Sequence, residues 1–411
     1  LSGCRSWAER VLPLLEARGV APCALYVAAP SRKPEAHVRL LESSGVPCRP
    51  LRLKSGWTTE SAVQSICREM AAIRPDVFIP NFWLPGHYAV RPLRAMGIET
   101  IGVMHSDDAY YWALADEFAR GDAEYRCRHW VTVSSYLRDE LRRRALPGEP
   151  LAVEMIPSGV RPATRVATEP TAEFRIGYVG RVVQEAKRIM DVATCMVRLA
   201  ETFPEIRCEI IGGGSEERRL TEYLAAHAKD VPVRYLGVMD AEAAAQHMGD
   251  LHALLLLSDY EGLSVALTEA MAAGVVPVCY DCRSGLRDLV RDGENGFIVH
   301  DRETGVVSAI RRLLQEPGLW SSMSNRARSS ISGVFLAETG AERWAQVIRR
   351  AAGDRPAGAL PAGGPSVEEP VRLPPVHPHL KTFDTRDAVP PGAEDGLRSA
   401  AARRDHELLR T

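Results

Sequence analysis

The stretch SDYEGLSVALTEAMAAGVVPV, residues 258–278, decides the fold. It follows the apolar run 251–257 and ends in another, so it reads as a buried strand, a tight turn, a helix and a second strand. The first strand would deliver Glu261 to its carboxyl end. Gly262 permits the turn, and Leu263 and Ser264 lead into the helix. The first N–H groups and the positive end of that helix would face the crevice where doubly wound α/β folds take ligands, a setting that suits phosphate. Glu269 lies about a turn and a half into the helix, so it can face the same crevice and reach a different part of a bound molecule. Two carboxylates suit paired sugar hydroxyls. Singly, each would pass for a solvated surface acid, but Glu269 sits between Leu267 and Ala270–Met271 in a mostly apolar neighbourhood, where a merely solvated carboxylate is less expected.

Upstream, the same alternation restarts after a Pro-, Thr- and Ala-rich connection at 161–173. Strands are expected at 174–179, 207–211, 233–236, 253–257, 275–279 and 296–299. Helices are expected at 188–201, 216–228, 241–248 and 264–273, and again from residues 304, 320 and 337. Before the connection, helices at 7–18, 34–43, 59–73, 86–96 and 135–144 alternate with strands at 23–29, 48–53, 76–80, 100–104 and 129–133. Alternation of this kind implies parallel sheets, and two doubly wound α/β domains in tandem are the economical reading. The expected organisation is a domain at 1–160, a second at 173–335, a C-terminal helix at 336–353 and a Pro-rich, largely unstructured tail at 354–411, whose last twenty residues could form a short charged helix.

IGYVGRVVQEAKR, residues 176–188, forms a second constellation. A strand ends in Gly180, and Arg181 and Lys187 follow, two cations at the mouth of the second sheet that could neutralise a leaving diphosphate without a divalent metal. Gly212, Gly213 and Gly214 follow another strand and open a helix, although G-x-G-x-x-G and a P-loop lysine are both lacking; close packing in the turn explains them equally well. Val238 and Met239 end the next strand. In the first half, VMHSDD at 103–108 puts His105 at a strand end. Asp107, Asp108, Asn81, His87 and Tyr110 are weaker acceptor-side candidates.

EGLSVALTEAMAAGVVPV resembles the E-x7-E segment of the family 4 retaining glycosyltransferases, a resemblance that runs from about residue 7 to 350 and is strongest over 175–299. It implies the GT-B architecture, two Rossmann-like domains facing a cleft, and metal-independent transfer of a hexose-type sugar with retention, with no cofactor beyond the nucleotide diphosphate sugar that serves as donor. Glu261 would contact the transferred sugar and Glu269 the ribose hydroxyls. Gly180, Arg181 and Lys187 would bind the diphosphate, Gly213 would lie near the nucleotide, and the backbone at Val238 and Met239 would read the base. Gly262, Leu263 and Ser264 would line the same pocket, while His105 would sit near the sugar's primary hydroxyl at the reaction centre. UDP is the favoured nucleotide, with GDP and ADP open. The acceptor is open among polysaccharide, glycolipid and small molecule. Members commonly carry E-K-G where this chain has Glu185-Ala186-Lys187-Arg188, and Lys187 rather than Arg188 is expected to point inward. A nucleotide-sugar 2-epimerase of the same architecture and a non-catalytic sugar-nucleotide-binding protein are the rival functions.

Bulk properties agree. Of 411 residues, 51 are Lys or Arg and 53 are Asp or Glu, a balance that gives no broad attraction to nucleic acid, so any anion site must be local. The nine cysteines are odd in number and irregularly placed, which suits a reducing, cytoplasmic setting. Cys279 and Cys282 form a C-x-x-C without the second pair or nearby His of a zinc site. Apolar runs fall far short of the ~20 residues a spanning helix needs, while peripheral membrane contact stays open. Family members begin with a strand and a glycine-rich loop before the first helix. Here only five residues precede it, so a gap in the first sheet is expected.

Overall fold

The computed structural model describes residues 3–28, 36–53, 56–148 and 151–353. The expected tail and the start of the helix expected at residue 34 lie outside the described residues. The chain forms two compact units, one of residues 157–339 and one that joins the residues up to 156 to the C-terminal segment from Gly340.

The 157–339 unit is built on six parallel strands: β7 Phe174–Val179, β8 Ile206–Ile211, β9 Val233–Gly237, β10 Ala253–Leu256, β11 Val276–Tyr280 and β12 Phe297–Val299. Their near-continuous apolar runs suit strands covered on both faces, and all four residues of β10 are buried. The sheet order β12-β11-β10-β7-β8-β9 shows the chain building outward from β7 and then reversing at β10. In such a sheet the crevice for ligands opens beyond the carboxyl ends of the two strands at the reversal. Every helix expected here is present, and a short one at Leu286–Leu289 is added.

The other unit holds β1 Ala24–Ala28, β2 Cys48–Arg52, β3 Val77–Phe78, β4 Glu99–Met104, β5 His129–Thr132 and β6 Ala152–Met155, all paired in parallel. Among the described residues they make two separate sheets, β1-β2 and β3-β4-β5-β6. The unit's core joins Trp7, Val11 and Leu15 of the helix Gly3–Leu15 to Ile101 and Val103 of β4, Val131 of β5, and Trp344 and Val347 of the C-terminal helix Ala337–Gly353. That helix starts in the 157–339 unit, where the Ala337 N–H donates to the Val160 carbonyl, and contributes to this core from Ala341 onward. Gly102 is required in β4 because a Cβ there would stand 2.7 Å from the Trp130 ring.

Three local expectations change. The helix expected at 86–96 is two, Leu84–Tyr88 and Val90–Ala95, because Pro92 has no N–H to offer the Tyr88 carbonyl. The strand β6 and the helix Ala109–Ala115 were not expected. Neither has enough periodic residues to announce itself; β6 exists by pairing with β5 and the helix by its Asp108 cap.

Candidate functional site

Two loops meet at the reversal point. After β7, Gly180 and Arg181 leave the sheet, and the segment runs through Lys187 into the helix Ile189–Thr202. After β10, Ser258 to Ser264 form the turn into the helix Val265–Ala272, and the Ser264 hydroxyl caps that helix by accepting from the Leu267 N–H. The Asp259 N–H donates to the Ala186 carbonyl at 2.8 Å, which stitches the loops together. Ala186 and Arg188 both hold left-handed backbone (φ +61° and +53°), a conformation that costs a non-glycine residue about 1 kcal/mol or more and persists only where the surroundings enforce it.

This stitching brings Lys187 Nζ to 2.5 Å from Glu261 Oε1. The buried Ser258 hydroxyl donates to the same oxygen at 2.7 Å, so Glu261 Oε2 stays uncommitted among the described residues. Lys187 and Glu261 are 15% and 12% exposed, sheltered enough for charge to be screened weakly yet open to a ligand. Arg188 turns to Asp191 at 2.7 Å instead, so it is Lys187 that points inward. The Arg181 side chain has no hydrogen-bond or ion-pair partner among the described residues, while the Tyr178 hydroxyl donates to its carbonyl at 2.6 Å and holds the loop. The Glu261 N–H donates to the Arg283 carbonyl and the Gly285 N–H to that of Gly262, which pins the turn to the loop after β11. Glu269, on the second turn of the helix, is partly exposed.

The glycine turn packs as only glycine can. A Cβ on Gly212 (φ +138°) would stand 1.7 Å from the Gly180 carbonyl oxygen, and one on Gly214 would stand 2.4 Å from that of Val182. A Cβ on Gly213 would meet the Val238 side chain at 2.6 Å. Val238 is 76% exposed, a large apolar residue held out in water beside the glycine turn, with Met239 partly exposed next to it.

In the other unit, His105 follows β4, and its Nε2 lies 2.6 Å from Asn81 Oδ1. With Oδ1 accepting, Nε2 carries the proton. Burial lowers the pKa of His105 to about 4, so the ring is neutral near pH 7. The weaker candidates divide. His87 is 0% exposed, packed against Phe118 and Trp130 with its Nδ1 3.1 Å from the Trp83 carbonyl, and is a core residue rather than an acceptor contact. Asp107 is buried and accepts from the Trp112 indole at 2.7 Å, and Asp108 caps the helix Ala109–Ala115. Asn81 and Tyr110 stay at the surface.

Burial raises the pKa of both C-x-x-C thiols, that of Cys282 to about 11, which leaves little thiolate for metal or redox chemistry. No group of three or more potential metal ligands gathers among the described residues. Ser258 and the left-handed Ala186 are the site residues that the sequence did not single out. A serine three positions before a glutamate carries no signal of its own.

Two family models match the chain in succession: Glycosyltransferase Family 4 over residues 4–164 and Glycosyl transferases group 1 over 161–330. Glycogen synthase of Mycobacterium tuberculosis is 27% identical over 287 residues, 67% of this chain and 68% of that one. The lipopolysaccharide 1,6-galactosyltransferase of Salmonella typhimurium is 29% identical over 169 residues, 40% of this chain and 46% of its own. Among solved structures, Anabaena HepE in complex with UDP-glucose superposes with a TM-score of 0.67 at 14% identity, covering 85% of this chain and 96% of that one. The pneumococcal O-GlcNAc transferase GtfA in complex with UDP and GlcNAc gives 0.59 at 19%, covering 71% of this chain and 60% of its own, so the chain spans less than two thirds of that neighbour. At these identities the structural likeness speaks for the fold alone. The two matched families together account for residues 4–330, and the chain belongs to family 4 of the glycosyltransferases with the GT-B fold.

Proposed function

We propose that this glycosyltransferase moves a hexose-type sugar from a nucleotide diphosphate sugar, UDP favoured, to an acceptor hydroxyl, without a metal and with retention at the anomeric carbon. The observation that carries the reading is the Lys187–Glu261 pair at the reversal between β7 and β10, with Arg181 on the loop that leaves β7. A diphosphate arriving there finds two cations and a helix start, which together do the work a divalent ion does elsewhere. Glu261 Oε2 and Glu269 are the acceptors for sugar and ribose hydroxyls, and exposed Val238 beside Gly213 offers the base an apolar surface. HepE was solved with UDP-glucose and GtfA with UDP, which favours that nucleotide. The relatives' names cite glycogen and lipopolysaccharide, so they fix no common acceptor.

A thermal-shift panel of UDP-, GDP- and ADP-sugars with EDTA present tests this. Stabilisation by one base class is expected, since a ligand at 100 times its Kd adds about 2.7 kcal/mol. No stabilisation by any of them at millimolar concentration would overturn the donor site. NMR of the products then separates transfer with retention from 2-epimerisation of the donor and from mere binding.

A further inference from the structure

The 3–156 residues carry an aromatic surface that their core does not use. Trp57 lies in the loop after β2, Phe82 and Trp83 in the loop after β3, and Tyr110 in the first turn after the β4 loop; all four are partly exposed. They are contiguous. The Trp57 and Trp83 rings meet edge to face with centroids 6.3 Å apart, and the Tyr110 hydroxyl donates to the Phe82 carbonyl at 2.5 Å. Asn81, next to Phe82, is bonded to His105, so the aromatic surface runs up to the histidine that ends β4. Each loop leaves the carboxyl end of a parallel strand, the edge where α/β sheets take ligands.

Two features say what kind of ligand fits. The surface alternates flat apolar rings with hydrogen-bonding side chains, and none of Trp57, Asn81, Phe82, Trp83 or Tyr110 carries a charge. That is the complement of a neutral pyranose ring, whose axial C–H bonds form an apolar face and whose rim is hydroxyls. Asn81 is held in left-handed backbone (φ +57°), an uncommon conformation that aims its amide at His105 instead of along the chain. Large aromatics left half in water are otherwise costly, and they concentrate binding energy at recognition sites.

We infer that Trp57 and Trp83 form a stacking platform for a sugar ring of the acceptor, with the Asn81 amide, positioned by His105, addressing its hydroxyls, so that the acceptor's receiving end is itself a carbohydrate. This rests on the transferase reading above. The platform holds the sugar beside His105, and the loops after β2, β3 and β4 select which sugar is accepted.

Saturation-transfer NMR on the full chain with maltotriose, chitotriose and cellotriose tests the platform, with neutral phosphatidylcholine vesicles as a second probe. At least one trisaccharide should bind, Trp83→Ala should weaken it about tenfold or more, and Trp83→Phe should restore most of the loss. Trp57→Ala gives an independent variant should Trp83→Ala fold poorly. UDP-sugar thermal shifts of both variants should match the parent. If no trisaccharide binds at millimolar concentration, if vesicles bind in their place, or if both alanine variants bind sugar as the parent does, the platform is overturned. Donor stabilisation is scored in the same samples, so a failed platform with an intact donor site is told apart from failure of the transferase reading.

Discussion

Lys187 Nζ and Glu261 Oε1 are 2.5 Å apart across the reversal of the sheet, so these two charges satisfy each other. A diphosphate bound as proposed would share Lys187 with Glu261, while Arg181 has no partner among the described residues to give up. That asymmetry assigns different duties to the two cations.

Arg181→Lys should raise the donor KM about tenfold and change kcat less, because an ammonium cannot make the paired contacts of a guanidinium. Steady-state kinetics with the donor identified by thermal shift checks this. An unchanged KM would remove Arg181 from the diphosphate site.

Glu261→Ala should cost two to three orders of magnitude in kcat, on the order of removing one group aimed at developing charge. It also leaves Lys187, only 15% exposed, without its partner, so the melting temperature should fall modestly. Glu261→Gln should recover stability without recovering rate. Full activity in either variant would contradict the site.

Substitutions in the glycine turn should separate folding from binding. Gly212→Ala meets the Gly180 carbonyl oxygen at 1.7 Å in a backbone region alanine avoids, and should destabilise by roughly 3 kcal/mol or more in urea denaturation. Gly213→Ala meets the exposed Val238 side chain at 2.6 Å and the Glu217 carboxylate at 2.9 Å, both ends of exposed side chains that can move. It should leave stability nearly unchanged and weaken donor binding, read by isothermal titration.

Burial lowers the pKa of His87, His105 and His252 to about 4 each, against an unfolded value near 6.5. Between those values the unfolded chain binds more protons than the folded one, so stability rises with pH in that window. The stability present above pH 6.5 should be lost progressively as pH falls towards 4. Urea midpoints measured from pH 7.5 to 4.5 should show this, and His87→Gln should flatten the slope by one proton's share. His105, neutral throughout, should give no inflection near pH 6.5 in the rate profile.

The alternation of apolar runs with helices was enough to read two parallel α/β units, because strands buried on both faces must be continuously apolar and helices must not be. The spacing of Glu261 and Glu269 and the cations after Gly180 were legible for a similar reason: a strand end, a turn and a helix start are local events. The break at Ala89 was legible too, in Pro92, and the expectation of one long helix passed over it.

What the linear chain could not reveal depends on residues far apart in it. The strand β6 exists because β5 pairs with it, and the C-terminal helix enters the core of the unit built on β1 to β6 through Trp344, contacts that no local pattern encodes. Residues 187 and 261 are 74 positions apart, and only the reversal of strand order places β7 beside β10 and so one side chain against the other. The sequence by itself determined the fold class, the family and the kinds of side chain at the site. Tertiary structure alone decided that Lys187 pairs with Glu261, that the Arg181 side chain has no partner among the described residues, and that aromatics following β2, β3 and β4 come together, because strand pairing and burial are set by the whole packed chain.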